Sequence, residues 1–292
     1  MKFITYINKS TNKEELGIKE GERILPLKKA NINYSDMNEL IEKITSDELN
    51  NIRRYITDDN LISEDEIKLL SPIPRPKQDV LCLGINYFAH AVESARYKKE
   101  AFGGERKVPI YFSKRVNEAV ANNDYIDGHF DIVDSLDYEC ELAVIIKKDA
   151  KDVPADKAFD YVFGYTIIND VSARNLQTQH KQWYFGKSLD GFTPIGPCIA
   201  TVDEFNNPPK LKIMSRVNGE LRQNSTTDLL IFDIPYIISE LTKGMTLKAG
   251  TIIATGTPAG VGMGFTPPNF LKSGDVVECE IEGIGVLKNT VK

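Results

Sequence analysis

The sequence predicts a β-rich α+β protein with a small amino-terminal α+β unit followed by one large strand-dominated domain. Two observations predict it. From Val80 onward, short apolar runs of strand length alternate with Gly, Pro and Asn-Asp punctuation, the signature of strands closed by turns. A proline-rich break separates this texture from a shorter, more charged and more helix-prone beginning.

Residues 1 to about 70 carry two apolar runs, Phe3-Ile4 and Ile24-Leu25, and a charged stretch from Met37 to Tyr55 that favours helix. Next comes Ser71-Pro72-Ile73-Pro74-Arg75-Pro76. Prolines at alternate positions hold a chain extended and semi-rigid, so the boundary is placed here, giving units 1–72 and 73–292. The second unit reads as strands: VLCLGI, LAVII, YVFGYTII, PIGPCIA, LKIMSRV, TIIATGT, DVVECEI and IGVLKNTV. Helix is expected only around 89–100 and 236–241. Regular strand–helix alternation is missing, so a sandwich or rolled sheet is predicted over a doubly wound parallel one.

A chain of 292 residues with 41% hydrophobic and 27% charged residues is long enough and apolar enough for a packed core without disulfides. With 36 basic against 42 acidic residues, the net charge of -6 offers no footprint for nucleic acid or an anionic membrane surface. No window approaches the roughly 18 apolar residues of a membrane span, and MKFITYIN lacks the apolar core of a signal peptide. A cytoplasmic location is expected. The four cysteines, Cys82, Cys140, Cys198 and Cys279, show neither a CxxC pair nor zinc spacing, so they are read as buried free thiols.

The chemistry gathers around Asp137-Tyr138-Glu139-Cys140-Glu141-Leu142-Ala143-Val144-Ile145-Ile146. In a strand, residues two apart share a face, which puts Glu139 and Glu141 together and Cys140 opposite. The continuous apolar run that follows suits a strand buried on both faces. Paired carboxylates in such a place repel unless a proton or a cation relieves them. A third acid, Asp170, ends the apolar run 161–168. Oxygen ligands without Cys or His select a hard cation, Mg²⁺, Mn²⁺ or Ca²⁺, over Zn²⁺.

Five segments in order, DYECELAVII, FGYTIINDVSARNLQ, GKSLDGFTPIGP, VNGELRQ and IIATGTPAGVG, resemble the fumarylacetoacetate hydrolase family over residues 78–292. The resemblance implies a mixed β-sandwich roll and a homodimer with an active site in each subunit. It also implies that Glu139, Glu141 and Asp170 bind the metal, most readily Mg²⁺, and that a small-molecule 2-oxo acid chelates it. Asn86-Tyr87-Phe88-Ala89-His90-Ala91-Val92-Glu93 matches the family's lid segment. His90 and Glu93, three residues apart, share a helix face and are expected to form a general acid/base pair, with Gly103-Gly104 as a hinge. Lys187 matches a lysine near the metal and is expected to be catalytic. Arg174, Gln177 and Thr257 are expected at the substrate, and Phe112 and Lys114 occupy the segment beside the pocket. His129 and His180 match no role.

The resulting expectation is a metal-dependent hydrolase cleaving a C–C bond of an acylpyruvate-like 2-oxo acid. Oxaloacetate decarboxylase, 2-hydroxy-dienoate isomerase or tautomerase, and 2-keto-3-deoxy sugar acid dehydratase are the alternatives in the same scaffold. A non-catalytic, metal-stabilised binding protein is disfavoured because His90, Glu93 and Lys187 are all present.

Overall fold

A computed structural model describes residues 1–100, 104 and 107–292. Its centre is the strand Cys140–Ile146, every residue of which is buried. Leu142, Val144 and Ile146 point into one core cluster, and Ala143 and Ile145 into another. That is why the run is apolar at every position: both faces are covered. Val162–Asn169 pairs with it antiparallel and is equally buried.

These two strands lie in the middle of an 11-stranded sheet. It is mixed, since Ile252–Ala254 runs antiparallel to Cys140–Ile146 but parallel to Val80–Gly84. One face packs against a five-stranded sheet made from Glu220–Thr226, Lys212–Val217, Val276–Ile281, Gly285–Val291 and Tyr125–Ile126. Ile167, Cys198, Ile213, Val277, Cys279 and Leu287 meet in the layer between. The other face is covered by Met37, Leu40, Ile41 and Ile52 from the amino-terminal helices. The predicted β-rich sandwich with few helices is the observed architecture.

The helix-prone stretch 37–55 forms two helices, Met37–Lys43 and Ser46–Tyr55. The break lies at Thr45, whose hydroxyl accepts from the Glu48 amide at 3.2 Å while the Glu48 carboxylate accepts from the Thr45 amide at 2.8 Å, a reciprocal cap that starts a new helix. The other two expected helices are Phe88–Lys98 and Ile234–Gly244, the latter begun by Asp233 and Pro235.

The sheet runs across the proline-rich segment. Lys2–Asn8 pairs with Ile195–Thr201, with Phe3 opposite Ile199, and Thr5 donates its hydroxyl to the Pro72 carbonyl at 2.8 Å. Ser71 and Ile73 are buried, so the segment is packed along its path. Among the described residues no helix is long and apolar enough to cross a membrane. All four cysteines are free and buried.

Ile167 is wholly buried between the two sheets. Ile167→Ala is expected to cost about 2–5 kcal/mol in urea unfolding; a loss below about 1 kcal/mol would mean that the sheets are not close-packed there.

Candidate metal centre

Glu139 and Glu141 emerge at the start of Cys140–Ile146, where the apolar run begins, and Asp170 follows the last residue of Val162–Asn169. The strand pairing sets Cys140 opposite Asn169. Two hydrogen bonds complete the juxtaposition: the Asp170 amide donates to the Glu139 carbonyl at 2.9 Å, and the Asn169 side chain accepts from the Glu139 amide at 3.0 Å. One oxygen from each of Glu139, Glu141 and Asp170 therefore lies within 4.8 Å of the others. All three residues are at most 5% exposed.

Their partners are unequal. Lys187 Nζ bridges Glu139 Oε2 at 2.7 Å and Asp170 Oδ2 at 2.6 Å. Lys114 Nζ lies 2.7 Å from Asp170 Oδ1 and donates to the Val171 carbonyl at 2.8 Å. Arg174 Nη2 is 2.6 Å from Glu139 Oε1 and 2.9 Å from Asp137 Oδ2. Glu141 accepts from the Gly256 amide at 2.8 Å, and none of these three cations contacts it. Four carboxylates thus face three cations, and the uncompensated charge falls on Glu141.

Electrostatics follow this inventory. Burial works to raise the Glu139 carboxyl, but Lys187 and Arg174 outweigh it and hold it well below the usual carboxylate range. Burial, then the charges of Asp170 and Glu139, push Glu141 well above that range. Burial lowers the Lys114 ammonium in spite of Asp170, whereas Asp170 and Glu139 raise Lys187 against its burial. A divalent cation fits these residues. It would relieve the repulsion at Glu141, all three donors are hard oxygens, and no Cys or His ligand shares the cluster.

The helix Phe88–Lys98 closes over the carboxylates. His90 Nδ1 lies 3.2 Å from Glu93 Oε2, both residues being buried. Glu93 in turn accepts from the Gly260 amide at 3.1 Å, and Arg96 donates to the Gly264 carbonyl. The helix springs from Asn86, whose side chain bonds to Phe232 and Thr255 backbone atoms, and from Ile85, held at φ 57°. That is a costly conformation for a β-branched residue, tolerated where surroundings enforce it. Of the expected hinge, Gly103 lies outside the described residues, and Gly104 has φ 87°.

His90, Glu139, Glu141, Arg174, Gln177, Lys187 and Thr257 all line one cleft. It is narrow and lined by both polar and apolar side chains, Phe112, Trp183 and Met263 among the latter. Several expected binding residues are already engaged. Arg174 is spent on Asp137 and Glu139, with its Nη1 donating to Gln177 at 3.1 Å. This orients the Glu139 carboxylate and leaves Arg174 2% exposed at the cleft wall. Thr257 donates its hydroxyl to the Cys140 carbonyl at 2.9 Å and accepts from Gln223 at 2.7 Å, which ties the turn to the strand that carries Glu139 and Glu141. Lys114 belongs to the site more directly than its place beside the pocket suggested. His129 bonds the Asp190 carbonyl and His180 packs edge-on to Phe185; neither lines the cleft.

Sequence reasoning passed over Asp137. Wholly buried, it accepts from Arg174 and from the Gly262 and Met263 amides at 2.6 and 3.0 Å. Its signal was present: Asp137, Glu139 and Glu141 continue one alternation.

The fold is strand-rich and mixed, and it brings a buried carboxylate triad and a buried His–Glu pair to one region. The chain belongs to the fumarylacetoacetate hydrolase family: the model of the fumarylacetoacetate (FAA) hydrolase C-terminal domain matches residues 79–292. Members of this family are enzymes. The chain is 45% identical over 234 residues to oxaloacetate tautomerase YisK of Bacillus subtilis, covering 79% of this chain and 75% of that one. It is 39% identical to the solved fumarylacetoacetate hydrolase of Exiguobacterium antarcticum, with a TM-score of 0.84 and coverage of 100% and 99%. Maleylpyruvate hydrolase of Sphingobium sp. SYK-6, solved with manganese(II) and pyruvate, is 27% identical, with a TM-score of 0.77 and coverage of 100% and 98%.

A group whose pKa is higher in the folded than in the unfolded chain adds stability below the unfolded value and loses it as pH rises through the folded one. Raised Glu141 should therefore make the metal-free protein less stable as pH climbs from acid towards neutral, and metal uptake should release a proton. Glu141→Gln is expected to flatten that decline in thermal melts and to abolish Mn²⁺-induced stabilisation. An unchanged pH slope together with retained Mn²⁺ stabilisation would contradict the assignment.

Proposed function

We propose that the protein is a divalent-metal-dependent enzyme that enolises a short 2-oxo acid, interconverting the keto and enol forms of an oxaloacetate-like substrate. The observation that carries this reading is the carboxylate triad, whose Glu139 and Glu141 line one cleft with His90, the partner of Glu93. The 45% identity to an oxaloacetate tautomerase supports it.

Glu139, Glu141 and Asp170 would hold the cation, Mg²⁺ or Mn²⁺. When bound, it supplies Lewis-acid charge that polarises a 2-oxo group and stabilises negative charge there. The protein's own residues do the rest. In this reading His90 Nδ1–H donates a hydrogen bond to Glu93, 3.2 Å away, so that Nε2 is the ring's acceptor. His90 then takes a proton from the substrate carbon next to the 2-oxo group while the C=O electron pair moves to oxygen. Return of that proton to the oxygen completes the enol, and the reverse sequence restores the ketone. Lys187, raised and buried between Glu139 and Asp170, keeps positive charge beside the developing oxyanion. The Phe88–Lys98 helix walls the cleft through His90, Ser94 and Lys98, and a lift of this helix would admit the substrate while its reseating would exclude water.

A second reading, C–C hydrolysis of an acylpyruvate, is favoured by the same His90–Glu93 pair, which could deprotonate a water for attack on the distal carbonyl. The likeness to solved fumarylacetoacetate and maleylpyruvate hydrolases supports it. A homodimer, as the family resemblance implies, is part of either proposal.

Enol-to-keto conversion of oxaloacetate, followed by ultraviolet absorbance, is expected to need the metal and to stop with EDTA. His90→Asn should slow it roughly 10²–10⁴-fold. Turnover indifferent to both would overturn the reading. Pyruvate release from acetylpyruvate without oxaloacetate tautomerisation would replace it with the hydrolytic one.

A further inference from the structure

The loop 260–264 is gripped from two sides. On one side, Asp137 accepts the Gly262 amide at 2.6 Å and the Met263 amide at 3.0 Å. On the other, the Phe88–Lys98 helix holds it through the Gly260 amide on Glu93 at 3.1 Å and through Arg96 on the Gly264 carbonyl. Two glycines are required by this double grip. A Cβ on Gly264 would stand 1.6 Å from Glu93 Oε1, and one on Gly262 would stand 2.7 Å from Asp137 Oδ1 and 2.6 Å from the Asn269 carbonyl. The loop backbone is therefore approached closely by an acid on each side.

Asp137 also reaches the metal ligands. Its Oδ2 accepts from Arg174 Nε at 2.9 Å, and Arg174 Nη2 lies 2.6 Å from Glu139 Oε1. One continuous chain of contacts runs from Glu139 through Arg174, Asp137, the loop and Glu93 to His90. Asp137 and Arg174 are at most 2% exposed, and buried charge-assisted bonds of this kind keep their geometry.

We propose that Asp137 is a positioning residue that registers the seated His90–Glu93 helix to the metal ligands, with the loop 260–264 as the latch between them. Asp137 touches neither substrate nor cation. It fixes where Glu93 finds its amide partner, and so where His90 stands above the triad. The same carboxylate fixes the guanidinium that orients Glu139. Seating of the helix and readiness of the ligand set thus share one anchor, and two sites biased by one element are energetically coupled in both directions. This rests on the proposed acid–base role of His90 but goes beyond it, by assigning what makes the helix seat in register.

The test is hydrogen exchange on the full-length metal-free protein, with Mn²⁺ titration and steady-state kinetics alongside. Asp137→Asn keeps the size and removes the charge. It is expected to raise amide exchange in 88–98 and 260–264 by about tenfold or more, within the range of typical coupling, while 140–146 keeps its protection. Mn²⁺ affinity should fall by a similar factor, and kcat should drop with KM little changed. Gly264→Ala strikes the latch from the helix side. It should raise exchange in 88–98, lower kcat and, through the shared anchor, weaken Mn²⁺ binding by a smaller factor than Asp137→Asn does; wild-type Mn²⁺ affinity beside raised exchange would overturn the coupling. Exchange in 88–98 unchanged in Gly264→Ala, or raised no more than in 140–146 in Asp137→Asn, would overturn the proposal. Should Asp137→Asn fail to fold, Gly264→Ala decides alone. If the wild type turns over no 2-oxo acid, the functional reading fails while the exchange and Mn²⁺ measurements still judge the coupling.

Discussion

The structure depends on one electrostatic constraint: three carboxylates held within 4.8 Å of one another in the protein interior. Like charges at such range and burial repel strongly, and the surrounding fold is arranged to offset it. Arg174, Lys187 and Lys114 are carried in from three other parts of the chain and are nearly inaccessible to solvent. Burying three cations is itself costly unless each is paired, and each is. Glu141 is the exception, and a divalent cation would relieve it.

The fold supplies the rigidity this requires. Cys140–Ile146 and Val162–Asn169 are the most enclosed pair in the main sheet, covered by the second sheet on one side and by the amino-terminal helices on the other. Placing the ligands at the end of that pair fixes their backbone positions before any side chain is considered. The Phe88–Lys98 helix, which carries His90, is anchored by polar contacts that include those of Asn86, Glu93 and Arg96.

Much of this was legible in the residues. Alternation alone placed Glu139 and Glu141 on one face, and the unbroken apolar run 142–146 announced burial on both sides. The three-residue spacing of His90 and Glu93 gave their pairing. Other features had no local signature. That Lys114 would reach Asp170 across 56 positions of sequence, or that Gly260 and Gly262 would donate amides to Glu93 and Asp137, follows from tertiary placement that no spacing encodes. Arg174 illustrates the limit: its helical turn after Asp170 was readable, but the two acids that claim its guanidinium were not both in view. The proline-rich segment likewise read as a connector, whereas pairing of Lys2–Asn8 with Ile195–Thr201 carries the sheet past it.

The cation site tests the account at its root. Crystals of the metal-free protein soaked in Mn²⁺ and measured at the manganese absorption edge would locate the ion directly. The account predicts an anomalous peak bounded by carboxylate oxygens of Glu139, Glu141 and Asp170, with the Lys187 ammonium displaced from its bridging position. A cleft without such a peak at saturating Mn²⁺, with Lys187 still bridging Glu139 and Asp170, would contradict it.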